Sequence, residues 1–374
     1  MSEPAYLKTV ASLASDVVAK HAAAVDKQAR FPQESIDALG QAGLLGLISD
    51  VEVGGQGQGI RAAAEVVEVL AQECGSTAMV LCMHYCGTAV LEQLGPLGVR
   101  RDIAAGRHLS TLAFSEMGSR SHFWAPVGSA RQVAGGVQLD AKKSWVTTAG
   151  RATAYVWSSQ PAQGGEASTL WLVPRDTPGV RAGPAYDGLG LRGNDSTSVT
   201  AEAAVVPEST RLGPDGGGFG VMMETVLPYF NVMNAACSIG MMEAAVKRSA
   251  AHVGSTRYMH LDSSLADLPT VRAYVARMRL QTDQARALWT DTLSAIESGR
   301  EDTMLRVLET KASAAEAALA VTSTAMRVCG GAAYRREVGV ERCFRDAQAA
   351  SIMAPTTDVL YDFIGKAVCG LPLF

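Results

Sequence analysis

The chain has 374 residues, 48% of them hydrophobic and 19% charged, and a formal net charge of −4. That length suggests two or three domains, and so apolar a composition supports a large core and excludes wholesale disorder. The small negative charge is spread without long runs, which argues against nucleic acid or an anionic membrane as the main partner.

Met1-Ser2-Glu3-Pro4 leads straight into amphipathic sequence, so no N-terminal signal is expected, and no apolar run is suited to a bilayer. Pro32-Gln33-Glu34-Ser35 starts a helix that carries Ile36 and Leu39 and stops at Gly40. A glycine-rich turn follows at Gly54-Gly55-Gln56-Gly57. Residues 60–72 and 76–94 then repeat apolar side chains at helical spacing around a break at Cys74-Gly75. Cys82 and Cys86 sit four apart on the second of these helices, with His84 between them. His84 would point to a different face, so buried thiols are expected there rather than a metal site. The seven cysteines are an odd number scattered through helical segments; they read as a reducing cytoplasm with no disulfide framework.

From about Leu109 the texture changes. Residues 137–140, 155–157, 170–173 and 198–206 are short β-branched or aromatic runs, separated by Gly and Pro as at Pro174 and Thr177-Pro178-Gly179. Gly213-Pro214-Asp215-Gly216-Gly217-Gly218 punctuates the exit. Residues 222–253, 268–298 and 301–328 are too long for strands and strongly periodic, so long bundled helices are expected. Gly330-Gly331 breaks them from a last helix over 357–369. The expected domains are an N-terminal helical one over 1–110, a central β domain over 111–212 and a C-terminal helical bundle over 213–374.

Four motifs carry chemistry. Phe114-Ser115-Glu116-Met117-Gly118-Ser119-Arg120-Ser121 is rich in small residues, as suits a loop whose backbone N–H groups approach a phosphate or ring edge. Lys143-Ser144-Trp145-Val146-Thr147-Thr148-Ala149-Gly150 sets Trp145 and Thr147 two apart, which strand alternation puts on one side. Leu191-Arg192-Gly193-Asn194-Asp195-Ser196 offers Arg192 and Asp195 as braces for a turn. Cys329-Gly330-Gly331 precedes Arg342, Arg345-Asp346-Ala347 and Ser351-Ile352-Met353-Ala354-Pro355-Thr356-Thr357. In this order and spacing the set resembles the acyl-CoA dehydrogenase family along the whole chain.

That resemblance implies an α+β fold: an N-terminal helical domain, a central β-barrel-like domain and a C-terminal four-helix bundle. It implies non-covalent FAD, a homodimer or homotetramer with each FAD spanning two subunits, and an acyl thioester of coenzyme A or an acyl-carrier protein as substrate. By the same resemblance Phe114 and Ser115 belong to the loop at the flavin ring and Ser121 to its end. Trp145 lies against the flavin, and the Thr147 hydroxyl bonds a ring nitrogen, a donor that would stabilise the reduced anion. Gly330 and Gly331 let backbone approach the pyrophosphate of a neighbouring subunit's FAD, and Thr356 reaches the cofactor as well. Arg327 stands where the family often has glutamine; it suits either the pyrophosphate or a solvated helix end. Asp358 also replaces a family glutamine. Arg257, in Thr256-Arg257-Tyr258-Met259-His260, is the remnant of an arginine-bearing loop. Met117 and Arg120 depart from the family's proline and glycine.

The base is missing from its usual place. The family's catalytic glutamate position holds Ala354, and the alternative position on the earlier long helix holds Phe230, flanked by Asn231. Losing a positioned base costs about 10²–10⁴ in rate, so routine fatty-acyl β-oxidation is not expected. Glu116, His122, Tyr229 or Asp358 could substitute, or the substrate's α proton could be unusually acidic. An oxygen-linked reaction is also open, with room for oxygen beside the flavin and with His84 or His122 orienting the reactants. The named alternative is a reduced-flavin monooxygenase acting on an aromatic or heteroatom substrate that is not a thioester. A flavin-fold scaffold or lyase without redox turnover ranks last. A flavin reductase as partner would indicate oxygenation, an electron-transfer flavoprotein dehydrogenation.

Overall fold

The computed structural model describes residues 4–164 and 167–373. The Met1-Ser2-Glu3 part of the signal-free N-terminal reading lies outside the described residues. Helix α1 (Ala5–Leu13) runs through a π turn (Ala14–Val18) into α2 (Ala19–Gln28). Helix α3 (Gln33–Gln41) begins beside Pro32, as expected of a proline that fixes φ at a helix start. Helices α4 (Ile60–Glu73) and α5 (Gly75–Leu94) meet at Cys74, whose extended backbone (φ −148°, ψ 107°) ends one and caps the other. α5 is buried on nearly every face, and α6 (Leu97–Ala104) leads out of the helical region.

The β region contains β1 (Ser110–Ala113), β2 (Ser129–Val133), β3 (Gly136–Val146), β4 (Ala154–Ser159), β5 (Thr169–Pro174), β6 (Val180–Ala182), β7 (Thr197–Val206) and β8 (Arg211–Leu212). They form two four-stranded sheets, ordered β1-β4-β5-β8 and β2-β3-β7-β6. The barrel-like expectation is therefore corrected to two facing sheets without ring closure. The four strands at the sheet edges are only two to five residues long and, among the described residues, pair only within their own sheets. Tyr155, Trp157, Trp171 and Val173 meet Val137, Leu139, Val199 and Val206 in a core between the sheets. The opposite face of the first sheet, with Val156, Leu170 and Leu172, joins the helical core. Every residue of β4 is therefore buried, while β3 and β7 mix buried and exposed positions.

A short α7 (Gly218–Val221) and a π turn (Met222–Val226) precede α8 (Leu227–Ser255), so the stretch expected as one helix from 222 changes pitch before Pro228. The bundle adds α9 (Pro269–Ser298), α10 (Thr303–Cys329), the short α11 (Gly331–Tyr334), α12 (Val340–Ile352) and α13 (Thr357–Val368). The helical parts before and after the β region share one hydrophobic core. Arg286 ties α9 to Glu68 of α4 (3.0 Å) and to Glu243 of α8 (3.2 Å). The Arg-Asp-Ala motif on α12 joins all three parts. Arg345 holds Asp26 of α2 through two bonds (2.6 and 2.7 Å), and Asp346 accepts the Leu191 N–H of the β region at 2.6 Å. Among the described residues, no helix is long and apolar enough to cross a membrane and no cluster suits a metal ion. All seven cysteines are free, six of them buried.

Candidate active site

The first two motifs lie side by side. The Ser144 N–H donates to the Ser115 carbonyl at 2.8 Å, and Glu116 bridges to Lys143. One Glu116 oxygen takes the Lys143 ammonium at 2.5 Å; the other accepts the N–H groups of Val127 (3.0 Å) and Gly128 (2.9 Å). Lys143 also donates to the Ser158 carbonyl (2.7 Å) and hydroxyl (3.0 Å) and lies 5.1 Å from the Trp157 ring. Burial draws the Lys143 ammonium down to about 8, with Glu116 opposing that shift. Both side chains are buried, so this pair clamps the loop to the β core. A carboxylate bound that fully is poorly suited to act as the substitute base, because freeing it would strand a buried cation.

Strand alternation fails at the second motif. Trp145 adopts a left-handed backbone (φ 56°), and the β3–β7 register shifts between Lys143 and Val146. Trp145 is consequently 66% exposed while Thr147 is buried, rather than both facing one side of a regular strand. The Thr147 hydroxyl lies 3.0 Å from the Ser196 hydroxyl. The third motif braces this bend: Asp195 accepts the Gly150 N–H at 2.8 Å, and the Asn194 carbonyl accepts that of Thr148 at 2.9 Å. Arg192 bonds the carbonyls of Asp26 (3.1 Å) and Gly188 (2.9 Å). Arg192 and Asp195 thus sit as turn braces.

The loop of the first motif docks on the start of α13. The Thr356 N–H donates to the Ser121 hydroxyl at 3.0 Å, and that hydroxyl lies 3.3 Å from the Thr356 hydroxyl. An aromatic run reinforces the joint: Phe114 stacks on Phe123 (6.4 Å), Phe123 meets Trp124 edge-on (5.2 Å), and Trp124 contacts Phe363 of α13 (5.7 Å). His122 is exposed, with its ring 5.1 Å from Trp124, and Asp358 is exposed in the first turn of α13.

Ala354 lies in the turn between α12 and α13, half-buried against the helical core. A residue not singled out from the sequence governs this turn. The buried Lys311 ammonium on α10 donates to the carbonyls of Ala350 (3.2 Å), Met353 (3.1 Å) and Pro355 (2.8 Å), and it lies 6.0 Å from the Phe230 ring. The turn that carries Ala354 and the ring of Phe230 therefore meet one ammonium, which has no salt bridge among the described residues. Burial lowers Lys311 to about 7. Its sequence signal was a lone lysine in register with Val307, Ala314 and Ala318 on the apolar face of a helix. Tyr229 is half-buried, and desolvation pushes its phenol up to about 12. His84 lies in the core: its Nε2 is 2.8 Å from the Leu45 carbonyl, and its Nδ1 accepts the Ser110 N–H at 3.1 Å. Burial lowers its ring to about 4, so it is neutral with both nitrogens engaged.

The remaining expected cofactor residues gather at the other end of α10. Gly330 has φ 54°, and neither it nor Gly331 has a neighbour where a Cβ would project. Arg327 is exposed, with its guanidinium 5.6 Å from the Tyr274 ring. Cys329 contacts Ser249 near the end of α8, so Arg257, just past that helix, belongs to the same end; it pairs with Asp262 at 2.6 Å. The donor set suits FAD. Ser115, Ser121, Thr147 and Thr356 bring hydroxyls, Trp145 an open indole, and the glycines an unfilled cradle, while the buried Thr148 hydroxyl has no partner among the described residues.

Sequence models of the acyl-CoA dehydrogenase N-terminal, middle and C-terminal domains match residues 2–102, 111–204 and 216–369. The chain belongs to the acyl-CoA dehydrogenase family. It is a flavin oxidoreductase of that type, and members of the family depend on FAD. The probable acyl-CoA dehydrogenase fadE25 of Mycobacterium leprae is 27% identical over 366 residues, covering 96% of this chain and 93% of that one. Butyryl-CoA dehydrogenase from Megasphaera elsdenii shares the fold with a TM-score of 0.91 at 22% identity, over 99% of each chain. The prolyl acyl carrier protein oxidase AnaB does so with a TM-score of 0.87 at 19% identity, over 98% of this chain and 100% of that one.

Proposed function

We propose that this family member binds FAD non-covalently and oxidises an acyl thioester of coenzyme A or of a carrier protein, in an oxygen-linked reaction that uses no glutamate at position 354. One observation supports the reading: the flavin-type loop is hydrogen-bonded both to the strand end that carries Trp145, through Ser115 and Ser144, and to Thr356, through Ser121, and the neighbouring turn has alanine where a carboxylate would be needed. FAD held there would supply the two-electron acceptor, so that the β hydrogen leaves with its electron pair as hydride while the α hydrogen leaves as a proton and the Cα–Cβ bond becomes double. Phe114, Ser115 and Thr147 would hold the ring edge and Trp145 its face. Ser121 and Thr356 would fix the loop against α13, and Arg257, Arg327, Gly330 and Gly331 would serve the cofactor of a neighbouring subunit. The chain is then a cytoplasmic homodimer or homotetramer.

The α proton needs another acceptor. Glu116 is consumed by Lys143, and Tyr229 stays protonated at neutral pH. His122 and Asp358 carry exposed groups at the loop–α13 joint, and His122 is the first to test. AnaB is named an acyl carrier protein oxidase, which supports both a carrier-bound substrate and oxygen as acceptor. Alanine at 354 lacks the bulk of a glutamate side chain, and that smaller volume beside the flavin-type loop suits the second reading, a reduced-flavin monooxygenase on a non-thioester.

The deciding experiment is anaerobic mixing of flavin-loaded protein with a panel of acyl-CoA and acyl-carrier thioesters, following oxidised-flavin absorbance. Bleaching by a thioester is expected. No bleaching by any member, with fast reoxidation by oxygen after chemical reduction, would replace this reading with the monooxygenase and direct the search to a flavin reductase.

A further inference from the structure

Trp145 is held in a costly way. A left-handed backbone at a non-glycine residue is disfavoured, yet here it turns a large apolar ring out of the sheet until 66% of the residue is exposed. One neighbour stands out. The ring of Tyr186, itself 37% exposed, meets the indole edge-on with centroids 4.7 Å apart and planes at 61°. Tyr186 lies in an irregular segment between β6 and β7, and that segment is anchored on both sides of it. Upstream, the Gly183 N–H donates to the Ser198 carbonyl at 2.7 Å and the Thr197 hydroxyl bonds the Pro184 carbonyl. Downstream, Arg192 holds Asp187 at 2.8 Å and the Gly188 carbonyl at 2.9 Å. The tyrosine is thus presented from a fixed loop to a ring presented from a fixed bend.

We propose that Tyr186 is a positioning residue for the cofactor, bracing the Trp145 indole so that its open side is ready to receive the isoalloxazine. The inference rests on the FAD reading of Trp145 and adds a residue that the motifs do not contain. An exposed indole without a brace would lose torsional freedom when a flat ligand stacks on it. An edge-on partner already in place removes much of that loss before binding. Tyr186 acts through Trp145, so its contribution depends on Trp145 being present, and it comes from the ring rather than the hydroxyl.

The test is a double-mutant cycle on the full chain stripped of flavin, titrated with FAD while tryptophan fluorescence is followed. Trp145→Leu identifies the part of the quench that belongs to the indole. Tyr186→Ala is expected to weaken FAD binding about two- to tenfold and to reduce the Trp145 quench, while Tyr186→Phe stays near the wild type. In the Trp145→Leu background, Tyr186→Ala is expected to have almost no further effect. Equal losses in both backgrounds, or no loss in either, would overturn the brace while leaving the FAD reading intact. A wild-type chain that binds no FAD would overturn the FAD reading and this inference with it. The thermal midpoint of each variant separates misfolding from loss of binding, and Tyr186→Phe keeps the test informative if the alanine variant folds poorly.

Discussion

At position 354 the side chain has no atom that can take a proton, and Phe230 offers none either. Replacing Ala354 by Glu should therefore restore ordinary α,β-dehydrogenation of simple acyl-CoAs, by about 10²–10⁴ in the rate of flavin bleaching. A folded, flavin-loaded Ala354→Glu variant with no gain would mean that the substrate does not present its α carbon to this turn. Lys311 makes a second prediction, about stability. Its ammonium is held near 7 when folded but near the ordinary lysine value of 10.5 when unfolded. Between those values the unfolded chain holds more protons, so the lysine's contribution to stability rises with pH across that window and is least favourable below it. Unfolding free energies of wild type and Lys311→Met, compared from pH 6 to 9, should diverge by up to about 1.4 kcal/mol per pH unit above pH 7, in favour of the wild type. Parallel pH profiles would show that Lys311 keeps an ordinary lysine pKa in the folded protein and stays charged in both states. Residue type singled out Trp145, Thr147 and Thr356 as candidates, but their spacing put Trp145 and Thr147 on one side of a strand, which the left-handed backbone at Trp145 overturns. Neither revealed Glu116's role, because a glutamate in a flavin-type loop and a glutamate clamping that loop from beneath look alike until Lys143 folds onto it.

Helix boundaries were legible within a few residues wherever the period was strong, as in α4, α5, α9 and α10. Proline and cysteine–glycine breaks also fell where expected, at Pro32 and Cys74. Strand edges were not legible: β1, β2, β6 and β8 are too short to show alternation, and β4 is buried on both faces. Helix α12 was seen only as a motif, although its Arg345 and Asp346 latch three regions together. Burial alone would raise the Asp26 carboxyl, but its bonds to Arg345 outweigh that and hold it below the usual value. The latch therefore contributes stability at neutral pH that is lost as acid protonates Asp26. Asp26→Asn should cost roughly 2–4 kcal/mol in urea unfolding, somewhat under the figure for a fully buried pair because both side chains keep some exposure. It should also flatten the acid limb of the stability profile. An unchanged acid limb would mean that other carboxylates control acid unfolding.

Across the whole molecule the expected cofactor residues fall into two groups. Ser115, Ser121, Trp145, Thr147 and Thr356 surround the loop–α13 joint beside the turn held by Lys311, whereas Arg257, Arg327, Gly330 and Gly331 lie at the far end of the bundle. Gly330 caps α10 nineteen positions beyond Lys311, or about 28 Å along the helix at ~1.5 Å per residue. Two groups so far apart on one chain are more readily parts of two different flavin sites than of one, and a two-fold oligomer would bring the near group of one subunit to the far group of its partner. That arrangement predicts complementation. Thr147→Val and Gly331→Val should each lower FAD binding in their own oligomers. In a two-fold dimer, a refolded equimolar mixture should recover about a quarter of the wild-type sites, because half the dimers are mixed and each mixed dimer has one unaltered site. Flavin retained per chain after gel filtration measures the recovery directly. A mixture that retains no more flavin than the average of its two components would assign each FAD to a single chain and leave the exposed glycine pair without a cofactor role.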